Sequence, residues 1–192
     1  MTVLDETGAE GEPSMESSMP GTAEKPLLLV TLCGGGWHRE TVRILESLPP
    51  DEYRFAYVYG HQGGVHGAAR LTTPCPGPRY PIHYLGPTRK TASRFVANPI
   101  RLMISFLEAF RLMRALRPDA LLAVGTATAV PLFVAARIYR IPCIFVESLT
   151  RVERLSLTGR IIDRLKLASR FYVQWPSLTQ RHPSTRFAGA VI

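Results

Sequence analysis

A chain of 192 residues, 46% apolar and 20% charged, has room for one globular domain and some extra. Its formal charge of +8 hides an asymmetry: residues 1–25 carry six acids and one base, and the remainder is strongly basic. Three scattered cysteines (Cys33, Cys75, Cys143) without CxxC or Cys/His ligand spacing exclude a disulfide framework and a zinc cluster, and no basic-then-apolar start marks a secretory signal.

Residues 1–25 are rich in Gly, Ser, Glu, Pro and Met. They cannot bury enough surface to offset ordering entropy, so they read as a disordered acidic tail before a domain over 26–192. Leu27–Cys33 is a short apolar run ended by three glycines, the pattern of a central parallel strand. Trp37–Leu48 reads as a helix with Val42, Leu45 and Leu48 on one face, closed by Pro49 and Pro50. A second strand is expected at Arg54–Tyr59. Gly60 to Pro81, rich in Gly and Pro and carrying His61, His66 and Cys75, reads as a long loop. A short strand follows at Ile82–Leu85.

Asn98-Pro99 opens a helix to about Leu116. Its Leu102, Met103, Phe106, Phe110 and Met113 mingle with Arg101, Arg111, Arg114 and Arg117. That composition suits a helix lying in a membrane interface, or a core-packing helix with a solvated basic face. Ala120–Ala136 is uncharged but stops short of the roughly 18–20 residues a bilayer demands, and Gly125 and Pro131 interrupt it. Strands at Asp119–Val124, Cys143–Glu147 and Arg170–Gln174 alternate with helices near Val130–Tyr139 and Gly159–Leu167. Such alternation implies an α/β fold, a Rossmann-like parallel sheet with helices on both faces. Right-handed crossovers then bring the glycine turn, Gly125 and Glu147 to the carboxyl edge, where open sheets bind ligands.

Three clusters on that edge carry chemistry. Gly34, Gly35 and Gly36 join a strand to a helix, so backbone amides and the helix N-terminus suit a phosphate or diphosphate. The dinucleotide pattern fails because Arg39 holds the third glycine position, and no GK[ST] follows. A bare tight turn is the plain alternative. His38, beside the glycines, suits a base for an attacking hydroxyl, or is a capping or surface histidine. Gly125, Thr126 and Thr128 form a second junction, able to hold a phosphate or sugar hydroxyl or simply to cap a helix. Glu147 and Ser148 end another strand, with Arg151 placed to pair with Glu147 or with a ligand phosphate. Gln174 and Trp175 follow the last strand. No RNP, KH or helix-turn-helix pattern supports nucleic acid as the target of the basic body.

From Asp119 onward the chain resembles a known family. Gly125, Thr128, Val130 and Pro131 match G-x-x-T-x-V-P. Val146, Glu147, Ser148, Arg151, Val152, Leu155, Ser156 and Gly159 match V-E-S-x-x-R-V-x-x-L-S-x-x-G, and Val173 to Pro176 match V-Q-W-P. These resemble the acceptor-binding subunit of the two-component UDP-GlcNAc transferase of lipid-linked oligosaccharide synthesis (the asparagine-linked glycosylation protein fourteen family) and its bacterial exopolysaccharide relatives. Two departures stand out. Trp37 separates the glycines from His38, and an acidic tail stands where eukaryotic members carry a membrane anchor.

The resemblance implies the N-terminal half of a GT-B glycosyltransferase. This chain would bind a polyprenyl-diphosphate-linked sugar and dock on an anionic membrane surface. A separate donor-binding subunit would bring the nucleotide-sugar, with no metal or other cofactor. His38 would act as base in an inverting transfer. The amides of Gly34–Gly36, with Arg39, Gly125, Thr126 and Thr128, would hold the diphosphate. Glu147, Ser148, Arg151, Gln174 and Trp175 would meet acceptor or partner, and Phe187, Val191 and Ile192 would dock the partner. The expected location is the cytoplasmic face of a membrane, the bacterial inner membrane ahead of the endoplasmic reticulum. The alternative is a non-catalytic scaffold that anchors and activates a complete catalytic partner.

Overall fold

A computed structural model describes residues 24–61, 71–83 and 99–191; the expected acidic tail and Ile192 lie outside them, apart from Glu24 and Lys25. Seven parallel strands form one sheet in the order β3-β2-β1-β4-β5-β6-β7. They are β1 (Leu27–Leu32), β2 (Arg54–His61), β3 (Arg79–His83), β4 (Ala120–Val124), β5 (Cys143–Val146), β6 (Arg170–Val173) and β7 (Arg186–Phe187). The order reverses between β1 and β4, which pair directly through Leu28 and Ala120. At such a switch point the two neighbouring crossovers leave in opposite directions and open a crevice at the carboxyl edge.

Helices cover both faces, as the alternation implies. α1 (Gly36–Glu46) packs Leu45 onto Val30, Leu32, Phe55, Tyr57 and Val124. On the other face lie α2 (Pro99–Leu116), α3 (Ala129–Ile138), α4 (Leu157–Arg164) and α5 (Pro176–Arg181). Met113, Phe133, Ile162 and Leu178 join Leu29, Phe145 and Phe171 in that core. Phe145 takes edge-to-face partners on both sides, Phe133 at 6.1 Å and Phe171 at 5.0 Å between ring centres. Each such pair adds about 0.5–1.5 kcal/mol beyond its burial.

Where the elements differ from expectation, the cause is local. β3 starts at Arg79 and includes Pro81, which an edge strand tolerates because one side needs no ladder donor. α4 begins at Leu157, ahead of the expected Gly159, because the Ser156 hydroxyl caps it by accepting the Gly159 amide at 2.9 Å. The segment expected as loop is packed where it is described. Cys75 is buried, its carbonyl accepting the Tyr57 hydroxyl at 2.7 Å. Neither α5 nor β7 was legible from periodicity, since both are too short to show a period. Arg117, Arg140 and Lys166 follow α2, α3 and α4 with positive φ, so basic residues take the place glycine commonly holds after a helix. Their charges complement the negative helix ends at the amino edge, away from the crevice.

Candidate functional site

The glycine turn is open. Gly35 sits at φ 75°, a conformation that only glycine adopts without strain, and caps α1. A methyl group added at Gly34, Gly35 or Gly36 would meet nothing within 4 Å. These glycines therefore leave room that the protein itself does not fill. The His38 amide donates back to the Gly35 carbonyl at 3.2 Å, which leaves the Gly36 and Trp37 amides at the helix start, where an α-helix offers no internal acceptor.

His38 stands two residues into the same turn of helix. It is half-buried, and its Nδ1 is sealed from solvent with no hydrogen-bond partner among the described residues. Desolvation lowers its pKa below 6.5 and nearby Arg79 pushes the same way, against a smaller contribution from the Thr72 carbonyl. The ring is thus neutral at pH 7, as a proton acceptor must be. His38, Arg39 and Gly36 line a cavity of about 640 Å³ with Thr72, Leu149 and Val191. That volume holds a small ligand or the head of a larger one.

The second cluster is closed. Gly125 has φ 56°, and its amide already donates to the Val146 carbonyl at 3.0 Å. The Trp37 ring lies over it so closely that a Cβ at Gly125 would clash. Thr126 and Thr128 are buried, their hydroxyls bonded to each other at 2.9 Å. The Thr128 side chain does not cap α3, although Thr128 occupies the N-cap position. The Gly125 amide and the side chains of the two threonines are thus engaged within the protein.

Glu147 is also turned inward and wholly buried. Its Oε1 accepts the Ser148 amide at 3.1 Å, and its Oε2 accepts both the Ser156 amide at 2.9 Å and the Ser156 hydroxyl at 3.0 Å. Burial raises its pKa, opposed by those hydrogen bonds and by the more distant charge of Arg151. Among the described residues no ion pair joins Glu147 to Arg151, so of the two pairings open to Arg151 the one with Glu147 is not made, and the carboxylate folds its own loop. Gly159 makes this feasible, because any Cβ there would collide with Glu147 Oε2. Arg151 is exposed on the loop.

The family described as "Oligosaccharide biosynthesis protein Alg14 like" matches residues 28–191. The chain belongs to the Alg14 family. It is 30% identical over 178 residues to a UDP-N-acetylglucosamine transferase subunit ALG14 of Yarrowia lipolytica, covering 87% of this chain and 82% of that one. To the Homo sapiens protein of the same name it is 28% identical over 191 residues, covering 91% and 88%. Among solved structures, MurG of Acinetobacter baumannii overlays with a TM-score of 0.60 at 20% identity. That overlay covers 80% of this chain but 43% of MurG. The calicheamicin glycosyltransferase CalG4 overlays with a TM-score of 0.54 at 8% identity, over 88% of this chain and 53% of its own. The chain thus has the fold of half a GT-B glycosyltransferase.

One residue of the candidate site was not legible in the sequence. Glu40, on α1 and buried, accepts the Ser148 hydroxyl at 2.9 Å, the Leu149 amide at 3.1 Å and the Gln174 side-chain amide at 2.7 Å. Its only signal was an acid two residues after His38, between Arg39 and Arg43. Trp175 completes the clamp by donating its indole N–H to the Leu149 carbonyl at 2.6 Å. Gln174 and Trp175 therefore brace the site's loop. Phe187 is exposed in the short edge strand β7, and Val191 lies between the His38 cavity and a second, apolar cavity of about 390 Å³. That second cavity opens on the sheet face beside α1, over Leu122, Ile144 and Tyr172.

α2 keeps both sides of its expected character. Met113 and Ala109 are core, yet Ile100, Met103 and Leu107 are about half exposed or more along one stripe, which Arg111 and Arg114 continue. Its one acid, Glu108, is drawn inward to His83 Nδ1 at 2.7 Å. Among the described residues no helix is long and apolar enough to cross a membrane.

Proposed function

We propose that this chain is the acceptor-binding subunit of a two-chain, inverting UDP-GlcNAc transferase acting on a polyprenyl-diphosphate-linked sugar. The observation that carries this reading is the open glycine turn beside a neutral, half-buried His38 at the switch point of a GT-B half. Relatives named as UDP-GlcNAc transferase subunits supply the substrate class. The acceptor diphosphate lies against the amides of Gly35 and Gly36 at the α1 N-terminus, with Arg39 beside it.

His38 takes the proton of the acceptor hydroxyl as that oxygen attacks the anomeric carbon of the donor sugar. The new glycosidic C–O bond forms as the bond to UDP breaks, with inversion at that carbon. UDP departs on the side of a donor-binding partner, which docks along the carboxyl edge and the C-terminal segment through Phe187 and Val191. The exposed stripe of Ile100, Met103 and Leu107, followed by Arg111 and Arg114, suits the surface of an anionic bilayer, where a prenyl-linked acceptor resides. The corresponding location is the cytoplasmic face of a membrane.

Reconstitution tests the reading. The chain and a donor-binding subunit, each purified alone, should show no transfer to a prenyl-diphosphate-linked N-acetylglucosamine, and mixing them should restore it. Full activity from either chain alone would refute the division of labour; from the partner alone it would favour a scaffold.

A further inference from the structure

Gln174 has every atom of its amide engaged. Nε2 donates to Glu40 Oε2 at 2.7 Å and to the Glu147 carbonyl at 3.0 Å, while Oε1 accepts the Val191 amide at 2.8 Å. The orientation of this amide is not free. The carboxylate of Glu40 accepts and does not donate, so the NH₂ must face it and the oxygen must face Val191. The side chain is almost wholly buried, so a flipped amide would set donor against donor and acceptor against acceptor away from water.

A continuous path follows from these bonds. Val191, the last described residue, is tied through Gln174 to Glu40, which lies on α1 two residues from His38. Glu40 in turn holds the Leu149 amide and the Ser148 hydroxyl, and Leu149 lines the same cavity as His38. The path also reaches the surface. Val191 borders both the His38 cavity and the apolar cavity on the open sheet face.

We propose that Gln174 is a positioning residue that couples the C-terminal segment 186–191 to the helix carrying His38. Whatever holds that segment against the sheet also holds α1 and the 148–150 loop in the arrangement that admits the acceptor. Docking of the partner then raises acceptor affinity, and bound acceptor raises partner affinity by the same factor, since coupling between two binding events is reciprocal. That consequence rests on the transferase reading; the mechanical link does not.

Val191→Pro tests the link with little risk to the fold. It deletes the N–H that Gln174 Oε1 accepts among the described residues, at a site outside any helix or strand. In the isolated chain, amide exchange at Leu149 and in the first turns of α1 should quicken by about tenfold, roughly what one net hydrogen bond is worth, while β1 and β4 keep wild-type rates. Unchanged rates at Leu149 and α1, or an equal rise everywhere, would overturn the link.

In the reconstituted complex, with a short-chain prenyl-diphosphate-linked N-acetylglucosamine as acceptor and the partner saturating, Gln174→Leu should raise acceptor KM by about tenfold with kcat within about twofold, and Val191→Pro should raise KM by a similar factor. The double variant should be no worse than Gln174→Leu alone, because both cut one path. Additive losses, or a kcat defect at unchanged KM, would reduce Gln174 to ordinary packing. A wild-type complex without transfer would sink the transferase reading instead and leave the exchange data to judge the link.

Discussion

The two halves of the carboxyl edge look alike in sequence and are built in opposite ways. Around Gly34–His38 the protein leaves things unfinished: two amides at a helix start, an imidazole nitrogen without a partner among the described residues, and space that none of them fills. Around Gly125, Thr126, Thr128 and Glu147 it pairs these polar groups with itself: the Gly125 amide, the two threonine hydroxyls and both carboxylate oxygens are bonded within the chain. A polar residue after a strand is therefore a weak sign of a ligand. The sharper sign is a buried or half-buried polar atom that the fold does not satisfy, because leaving one unpaired costs about 1–3 kcal/mol unless something else completes it.

The contrast breaks most decisively at His38. On the open side, His38→Ala in the reconstituted complex should lower kcat by about 10²–10⁴-fold, the usual contribution of a general base, with the melting temperature of the chain nearly unchanged. Survival of most of the activity would transfer His38 to the finished side and favour the scaffold.

A smaller effect should appear on the closed side, in stability rather than rate. Gly159→Ala forces a methyl group into Glu147 Oε2 and should cost about 1–3 kcal/mol, read by denaturant unfolding. Gly34→Ala, where the methyl meets open space, should cost at most about half a kcal/mol and show instead as weaker acceptor binding. Equal destabilisation by the two would erase the distinction between the halves.

The smallest effect is a pH limb. His38 has its pKa depressed from 6.5, so the neutral base predominates at and above that pH and is lost only on further acidification. The rate should be flat near neutrality and fall as pH drops below 6.5. The acid limb should vanish in His38→Ala; its persistence there would assign it to another group.

Much of this protein was written in local pattern. The apolar runs at Leu27–Cys33, Ala120–Val124 and Cys143–Val146, ended by Gly34, Gly125 and Glu147, announced parallel strands with their working edge at the carboxyl end. The family motifs likewise named Glu147, Ser148, Gln174 and Trp175 as residues with a reason to be there. Their roles were not legible. Whether Glu147 faces a ligand or its own loop depends on Ser156 and Gly159, nine and twelve positions away, and on a close approach that only packing creates.

Glu40 shows the same limit from the other side. As an acid on an amphipathic helix it looks like solvated surface, and it is buried only because β5 and β6 bring Leu149 and Gln174 to it from more than 100 residues along the chain. Sequence determined the alternation of strands and helices, hence a parallel sheet, and the glycine turn, since these follow from periodicity and backbone preference over a few neighbouring residues. Tertiary structure alone decided which polar groups answer one another and which are left for a ligand, since hydrogen-bond satisfaction is a property of neighbours in space.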